Sequence, residues 1–172
     1  MSTETTRRIV LLRHAKSDHP VGMGDHERPL AERGRNDAPA AGRRLTESGI
    51  VPDLCLCSTA TRTRETWKLA ARELPKHPTT VYEDRIYDAS HRALVALVQE
   101  TSDEVGTLVV VGHNPGMHYL AVGLAGAPAE GDGPALPRDE FPTSAIAVLS
   151  FTGPWAEVED GIGKLELFWT PR

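Results

Sequence analysis

The feature that most constrains the fold is an apolar run that ends in two polar residues near the start of the chain. Residues 9–12 (IVLL) are apolar, and Arg13 and His14 follow them directly. A short continuous run of this kind is typical of a strand buried on both faces, as in a parallel sheet covered by helices. Open α/β sheets bind ligands at the carboxyl ends of such strands, so we expect Arg13 and His14 to lie at a binding site.

A second segment repeats this arrangement. The run TLVVVG ends at Gly112, and His113 follows it. Two buried parallel strands would then deliver one histidine each to the same edge of the sheet. A loop arginine beside a half-exposed histidine would explain the first pair alone, but the repetition favours a functional interpretation. A guanidinium beside an imidazole suits phosphoryl chemistry, because the imidazole can attack phosphorus while the guanidinium binds the phosphoryl oxygens.

Periodicity and the Gly, Pro and capping signals predict the other elements. Strands are expected at 8–12, 54–57, 80–82, 108–111, 144–151 and 164–169, and helices at 30–48, 60–73, 90–100 and 116–124. Pro39 indicates that the first helix is kinked or begins there, and Ser58, Thr59 or Thr61 is expected to cap the second helix. This alternation predicts a three-layer α/β/α sandwich whose mostly parallel sheet has an antiparallel C-terminal edge.

The length fits a single domain over residues 1–172, in which residues 1–7 are expected to be disordered. The Gly- and Pro-rich segment 125–142 is expected to be a surface loop that could form a flap over the site.

Composition limits the partners that the chain can bind. Its formal net charge is −5, which argues against a general affinity for nucleic acid or for an anionic membrane. Arginines are nonetheless concentrated between Arg7 and Arg64, and a local cationic pocket in an acidic protein points to a small anionic group. No apolar segment approaches the roughly 20 residues of a membrane span. The amino terminus also lacks the apolar core of a signal peptide, so we expect a cytoplasmic protein.

The cysteines and the remaining histidines suggest no metal site. Cys55 and Cys57 face the same way on a predicted strand, so we interpret them as buried free thiols rather than as a disulfide or zinc site. We expect no metal and no cofactor, because His113 and His118 are not spaced to share one helix face. The alternative is a metal site built from His14, Asp18, His113 and His118. Four other histidines are interpreted as ordinary loop or helix-start residues: His19, His26, His77 and His91.

Five segments carry motifs that occur in a fixed order. They are RHAKSD at 13–18, RPLAERG at 28–34, STATRTRET at 58–66, VGHNPG at 111–116 and PTSAIAVL at 142–149. Together they resemble the histidine phosphatase superfamily, which has the phosphoglycerate mutase-like fold, and more narrowly its small SixA-type phosphohistidine phosphatase branch. The resemblance covers nearly the whole chain. Ala15 stands where the family usually has glycine, and Thr59 replaces a proline.

The resemblance implies roles for four residues. His14 would be the nucleophile that forms a phosphohistidine intermediate, Arg13 and Arg62 would bind the phosphoryl oxygens, and His113 would donate to one of them. Forked guanidiniums suit this reaction, which depends on positioning and on neutralising charge. His14 must attack as a neutral imidazole, so its other ring nitrogen should donate to a backbone carbonyl. His113 is more useful when charged, and its pKa should rise beside a bound dianion.

The acid that would protonate the leaving group stays open. In the mutase branch a glutamate three residues before a tyrosine does this, and here that spacing before Tyr87 falls on Asp84. Glu83 and Asp18 are the other candidates, although a solvated turn explains Glu83 and Asp84 equally well. The small SixA-type members are thought to manage without a strong acid, because an imidazole leaving group needs less help.

The predicted function is therefore that of a phosphatase acting on phosphohistidine in a protein or on small phosphomonoesters. The chain holds little between Arg62 and His113, where larger family members carry an insertion over the site. We accordingly expect a shallow, open pocket and no mutase activity. One alternative is a phosphatase for metabolites such as sugar phosphates, in which Arg138 would contribute. Another is a phosphate-binding module without turnover, which would not need a nucleophile.

Overall fold

A six-stranded sheet forms the centre of the computed structural model, which describes residues 5–127, 131 and 133–172. The strands are β1 (Thr6–Arg13), β2 (Leu54–Cys57), β3 (Thr79–Tyr82), β4 (Thr107–Gly112), β5 (Ile146–Thr152) and β6 (Lys164–Trp169). The helices are α1 (Glu32–Glu47), α2 (Thr61–Ala71), α3 (His91–Gln99) and α4 (Gly116–Ala125). Short 3-10 helices lie at Asp25–Glu27, Asp84–Ile86 and Trp155–Glu157.

The order of the strands in the sheet is β3-β2-β4-β1-β5-β6. β1 pairs with β4 in parallel, as do β4 with β2 and β2 with β3. β5 runs antiparallel to β1, and β6 runs antiparallel to β5. The predicted sheet, mostly parallel with an antiparallel C-terminal edge, is therefore confirmed.

Successive side chains of β1 enter two different cores. Ile9 and Leu11 pack in the cluster that α3 and α4 cover, whereas Val10 and Leu12 pack in the cluster under α1 and α2. All four side chains are at most 2% exposed. Helices on both faces explain why the strand is apolar throughout and does not alternate with polar residues. The three-layer α/β/α architecture is confirmed.

The start of the chain is more ordered than the sequence suggested. β1 already begins at Thr6, which pairs with Thr152 of β5, so the predicted disorder of residues 1–7 is wrong for this part. The Arg7 side chain is buried and donates to the carbonyls of Asp103 and Gly153. Pairing with β5 thus extends the strand past the apolar run, and residues 1–4 lie outside the described part of the chain.

The helix ends were only partly predicted. Ser90 caps α3 as expected, accepting a hydrogen bond from the Ala93 amide at 3.1 Å. At α2 the prediction was wrong, since the residue before the helix is Ala60 and no side chain caps the helix. The Ser58 hydroxyl accepts from the Ala60 amide at 3.3 Å and lies 2.8 Å from His113 Nε2, and the Thr59 hydroxyl donates to Asp84.

The first helix begins before its proline, and the two cysteines are buried. Pro39 lies inside α1, which begins seven positions earlier, at Glu32. Cys55 and Cys57 are free and buried on the same face of the sheet, as predicted. Burial raises the pKa of the Cys57 thiol to about 12, so this side chain serves packing rather than chemistry.

Within the described ranges, no helix combines the length and apolar character that crossing a bilayer requires.

Gly42 allows α1 and α2 to pack closely, and replacing it should destabilise the protein. A Cβ atom at Gly42 would lie 2.1 Å from the carbonyl oxygen of Ala70. We expect Gly42→Ala to lower the free energy of unfolding by about 1–3 kcal/mol in urea denaturation, despite the better helix propensity of alanine. The matched control is Gly133→Ala, whose Cβ would have no neighbour within 4 Å. A Gly42→Ala protein as stable as the control would contradict the packing argument.

Candidate active site

His14 and His113 lie side by side at the carboxyl edge of the sheet. Arg13 of β1 is paired with Gly112 of β4, so the residues that follow the two strands leave the sheet at the same level. The backbone amide of His14 donates to the Gly112 carbonyl at 3.0 Å. The two imidazole rings have centroids 5.4 Å apart. The structure thus brings together the two histidines that the sequence placed on neighbouring strands.

The ring of His14 is held in one orientation. Its Nδ1 lies 2.7 Å from the carbonyl oxygen of Ala15. A carbonyl can only accept, so Nδ1 carries the proton and Nε2 keeps its lone pair in the neutral ring. The side chain is buried, and this desolvation lowers its pKa to about 3, although the Ala15 carbonyl acts in the opposite direction. At neutral pH, His14 is therefore an uncharged imidazole with a free Nε2 lone pair.

Two arginines add positive charge to this edge. Arg62 stands in the first turn of α2 and is only 5% exposed. Arg13, the last residue of β1, donates from Nη1 to the Phe141 carbonyl at 3.1 Å. Burial, and the charge of Arg62, lower the pKa of Arg13. Such a concentration of cations is suited to binding an anion with several oxygen atoms.

His113 is neutral in the free site. Burial is the main reason that its pKa falls to about 4, and the charge of Arg62 acts in the same direction. Its Nε2 lies 2.8 Å from the hydroxyl oxygen of Ser58. Its Nδ1 is buried and has no partner in the described part of the chain. The charged form proposed for His113 therefore requires a bound anion, and the rise of its pKa stays a prediction.

Asp25 is a residue of the site that the sequence analysis did not identify. Arg62 donates from Nη1 to the Asp25 carbonyl at 2.7 Å and from Nη2 to the Asp25 carboxylate at 3.2 Å. Tyr87 and Arg28 donate to the same carboxylate. The hydrogen bond from Tyr87 is the main cause of a pKa well below the usual range for this carboxyl group. Asp25 is thus an ionised partner that holds one of the two site arginines.

Tyr87 and His26 extend the site on one side. The Tyr87 ring meets the His113 ring edge-on at 5.4 Å and the His26 ring at 5.0 Å. His26 Nε2 lies 3.0 Å from the Thr59 hydroxyl, which in turn donates to Asp84 at 2.6 Å. The interpretation of His26 as an ordinary loop residue is therefore incomplete. Nothing in its local sequence separates it from the other loop histidines.

The segment at residues 28–34 supports the loop that follows His14. The Ala31 amide donates to the Lys16 carbonyl at 2.9 Å, and Ser17 forms an isolated bridge with Leu30. A Cβ atom at Gly34 would lie 2.1 Å from that Lys16 oxygen, so α1 can approach only because a glycine stands there. The segment at residues 28–34 therefore supports the loop after His14 by packing, and its Arg28 also donates to the Asp25 carboxylate.

The three candidate acids lie in different surroundings. Glu83 forms an ion pair with Arg85 at 2.9 Å, and the hydrogen bond from Arg85 lowers the pKa of Glu83. Asp84 accepts from Thr59 at the edge of the site. Asp18 is exposed in the loop after His14. Since an acid must be protonated before it can donate, Glu83 is the least suited of the three.

One end of the predicted surface loop 125–142 contacts the site. The Phe141 carbonyl accepts from Arg13 and, at 2.8 Å, from the Asn114 side chain. The Ser144 amide, at a φ of 63°, donates to the carbonyls of both Arg13 and His14. Residues 128–130 and 132 lie outside the described residues, and closure of the loop over the site stays a prediction.

The described residues do not assemble the alternative metal site. Over residues 5–127, 131 and 133–172, no group of three or more His, Cys, Asp or Glu side chains is arranged to hold an ion. His118 points elsewhere, with Nε2 2.9 Å from the Pro137 carbonyl and its ring stacked on Phe141.

Comparison with known proteins identifies the family. The model of the histidine phosphatase superfamily (branch 1) matches residues 9–88. An uncharacterized protein of Mycobacterium tuberculosis is 41% identical over 163 residues, which cover 94% of this chain and 100% of that protein. The solved structure of a candidate phosphohistidine phosphatase SixA from Nakamurella multipartitia superposes with a TM-score of 0.82 at 31% identity, covering 96% of each chain. The chain belongs to the histidine phosphatase superfamily.

More distant structures are similar in fold alone. The protein histidine phosphatase SixA complexed with tungstate superposes with a TM-score of 0.76 at 20% identity, covering 95% of this chain and 97% of that one. A mycobacterial glucosyl-3-phosphoglycerate phosphatase gives a TM-score of 0.63 at 19% identity, with 94% and 98% covered. The fold is phosphoglycerate mutase-like, as predicted, and SixA proteins are among its structural neighbours.

The protonation states of the two histidines can be tested by NMR. We expect the ring signals of His14 and His113 to show neutral imidazoles down to about pH 5, because burial lowers the two pKa values to about 3 and 4. Saturating phosphate should raise the pKa of His113, since the added negative charge favours the imidazolium ion. His14→Asn and His113→Asn assign the signals. Titration of both rings near the ordinary value of about 6.5 would contradict the effect of burial.

Proposed function

We propose that the protein is a phosphatase that works through a covalent phosphohistidine on His14. The observation that carries this proposal is the fixed, neutral ring of His14, whose Nδ1 is held by the Ala15 carbonyl while Arg13 and Arg62 stand nearby. A nucleophile needs an unprotonated lone pair, and a phosphoryl group needs cations for its oxygens. Both requirements meet at one edge of the sheet.

In the proposed first step, the Nε2 lone pair of His14 attacks phosphorus, and the bond between phosphorus and the leaving group breaks. Arg13 and Arg62 bind the equatorial oxygens, and His113 donates to one of them once the bound anion has raised its pKa. In the second step, water attacks the phosphorus of phosphohistidine; one of its protons stays on the new P–O oxygen, and the other passes to a phosphoryl oxygen or to solvent. The electron pair of the N–P bond returns to His14 Nε2, and inorganic phosphate leaves.

Phosphohistidine on another protein is the substrate class that we favour. An imidazole leaving group needs little protonation, which suits a site whose Glu83 is paired with Arg85. The 31% identity to the candidate SixA from N. multipartitia supports the same substrate class. The same two steps would also hydrolyse small phosphomonoesters. Hydrolysis of sugar phosphates is the second choice, because the neighbour that acts on glucosyl-3-phosphoglycerate shares only 19% identity.

We extend the proposal to the domain organisation of the chain and to its location. We propose a single domain over residues 1–172, supported by one sheet that takes up strands from Thr6–Arg13 to Lys164–Trp169. We also propose that it acts in the cytoplasm, where buried free thiols such as those of Cys55 and Cys57 are typical.

Trapping with a ³²P-labelled phosphodonor tests the covalent step. We expect the wild-type protein to acquire label that is labile in acid and stable in base, the behaviour of an N–P bond, and His14→Ala to acquire none. His91→Ala is the matched control, because it removes a histidine at the start of α3 whose ring pairs with Asp160 at 2.8 Å, away from the site motifs. Equal labelling of wild type and His14→Ala would exclude His14 as the nucleophile. Failure to hydrolyse a generic aryl phosphate at any pH would favour a phosphate-binding module instead.

A substrate comparison tests the preferred class. We expect kcat/KM for a phosphohistidine protein to exceed that for small sugar phosphates by about tenfold or more, because the leaving imidazole needs no strong acid. The His14→Ala variant provides the background rate for both substrates. A higher value for sugar phosphates would instead indicate a metabolite phosphatase.

A further inference from the structure

A groove of about 650 Å³ runs beside the candidate site, between α2 and the edge strand β3. His26 and Thr59 line it at one end, and these two residues also belong to the hydrogen-bond network around Tyr87 and Asp84. The groove is therefore linked to the candidate site, because the His26 ring contacts the Tyr87 ring, which in turn meets the His113 ring.

The groove is strongly cationic in a protein whose overall charge is negative. Arg64, Lys68 and Arg72 line it and are exposed, at intervals of four residues that place them on one face of the helix. His77 lines the same groove. Glu65 is the single carboxylate among the described lining residues, and its Oε1 accepts a hydrogen bond from the Leu30 amide at 2.8 Å. Three cations thus face the groove with little opposing charge.

The length of the groove distinguishes a chain from a small molecule. It follows α2 and the next residue, from Thr61 to Arg72, which at 1.5 Å per residue corresponds to about 16 Å. An extended peptide rises about 3.3 Å per residue, so roughly five residues would fill this length. A second phosphate of a small substrate would meet one of these cations, whereas an extended acidic segment would meet all three.

One of the cations is already held in place. The guanidinium carbon of Arg64 lies 4.6 Å from the centroid of the Tyr82 ring, which lines the opposite wall on β3. A cation fixed over an aromatic ring loses less freedom on binding than a free side chain does. The groove is therefore partly organised to receive a carboxylate.

We propose that the groove between α2 and β3 binds an extended acidic segment of the phosphoprotein substrate, next to its phosphohistidine. This inference rests on the proposed function and adds a recognition element to it. The candidate site would bind the phosphoryl group, which all substrates share. The groove would bind the acidic segment beside it and so distinguish one phosphoprotein from another.

Kinetics on phosphohistidine peptides test the inference. The peptides carry five glutamates or five glutamines on one side of the phosphohistidine, with each side tested in turn. We expect a kcat/KM about five- to tenfold higher for one acidic peptide at low salt, consistent with roughly a twofold effect per exposed ion pair. The triple substitution Arg64→Gln, Lys68→Gln and Arg72→Gln should abolish this preference and leave hydrolysis of an aryl phosphate unchanged.

The matched control changes the same net charge elsewhere, with Arg8→Gln, Arg92→Gln and Lys164→Gln, which are exposed on other elements. It should retain the preference. Equal rates for acidic and neutral peptides, or an equal loss in the control, would overturn the inference. The inference would also be overturned if the groove cations accelerated the hydrolysis of a small bisphosphate but not that of the acidic peptide.

Binding of the unphosphorylated acidic peptide separates this inference from the proposed function. Fluorescence anisotropy of a labelled peptide should show binding to the wild type and at least fivefold weaker binding to the groove variant. If no phosphoenzyme forms but this binding persists, the proposed function fails and the groove still binds acidic segments. If phosphoenzyme forms and the peptide does not bind, the groove inference alone is wrong.

Discussion

The parallel pairing of β1 with β4 is the constraint on which the site depends. A slip of one residue would turn each side chain of β1 towards the other face, and Ile9 and Leu11 would exchange cores with Val10 and Leu12. Because both cores are filled, this register is fixed by packing rather than by the site. The two histidine rings follow paired residues of the two strands and lie 5.4 Å apart. Their separation is therefore set by apolar burial in the two cores.

Burial also determines the chemistry at this edge. Desolvation is the largest cause of the low pKa of both His14 and His113, so the core that positions the rings also keeps them neutral. Arg13 and Arg62 cannot become neutral in the same way, because a guanidinium stays charged in proteins. They instead engage fixed acceptors, the Phe141 carbonyl and Asp25. The neutral ring of the proposed nucleophile and the charged arginines of the proposed anion site thus arise from one environment acting on two kinds of side chain.

The sequence was most informative for candidate site residues whose position follows from the local sequence pattern. Arg13 ends a buried strand, and His14 and His113 directly follow buried strands, so periodicity located all three. The role predicted for Arg62 came from the motif resemblance. Asp25 could not be found in this way, because it meets Arg62 across 37 residues and depends on how a Gly- and Pro-rich loop folds back. The failed capping prediction at α2 has a similar cause. The hydroxyls of Ser58 and Thr59 bond to His113 and Asp84, which are distant in sequence, and the local bond of Ser58 is to the Ala60 amide, before the first residue of α2.

The contact between Asp25 and Arg62 bears on how the proposed site would bind phosphate and release it. Both Nη atoms of Arg62 donate to Asp25 in the free protein, whereas its Nε is buried without a partner among the described residues. In the proposed function, a phosphoryl group would therefore bind the N–H donors that Asp25 leaves free. Tyr87 and Arg28 hold the carboxylate in place, and it remains beside the guanidinium as an alternative partner. An enzyme gains nothing from binding its product as tightly as its transition state. If Arg62 binds the phosphoryl group as proposed, the Asp25 carboxylate lowers the net charge there and weakens the binding of product phosphate, whereas the transition state would gain the additional bond to His14 Nε2.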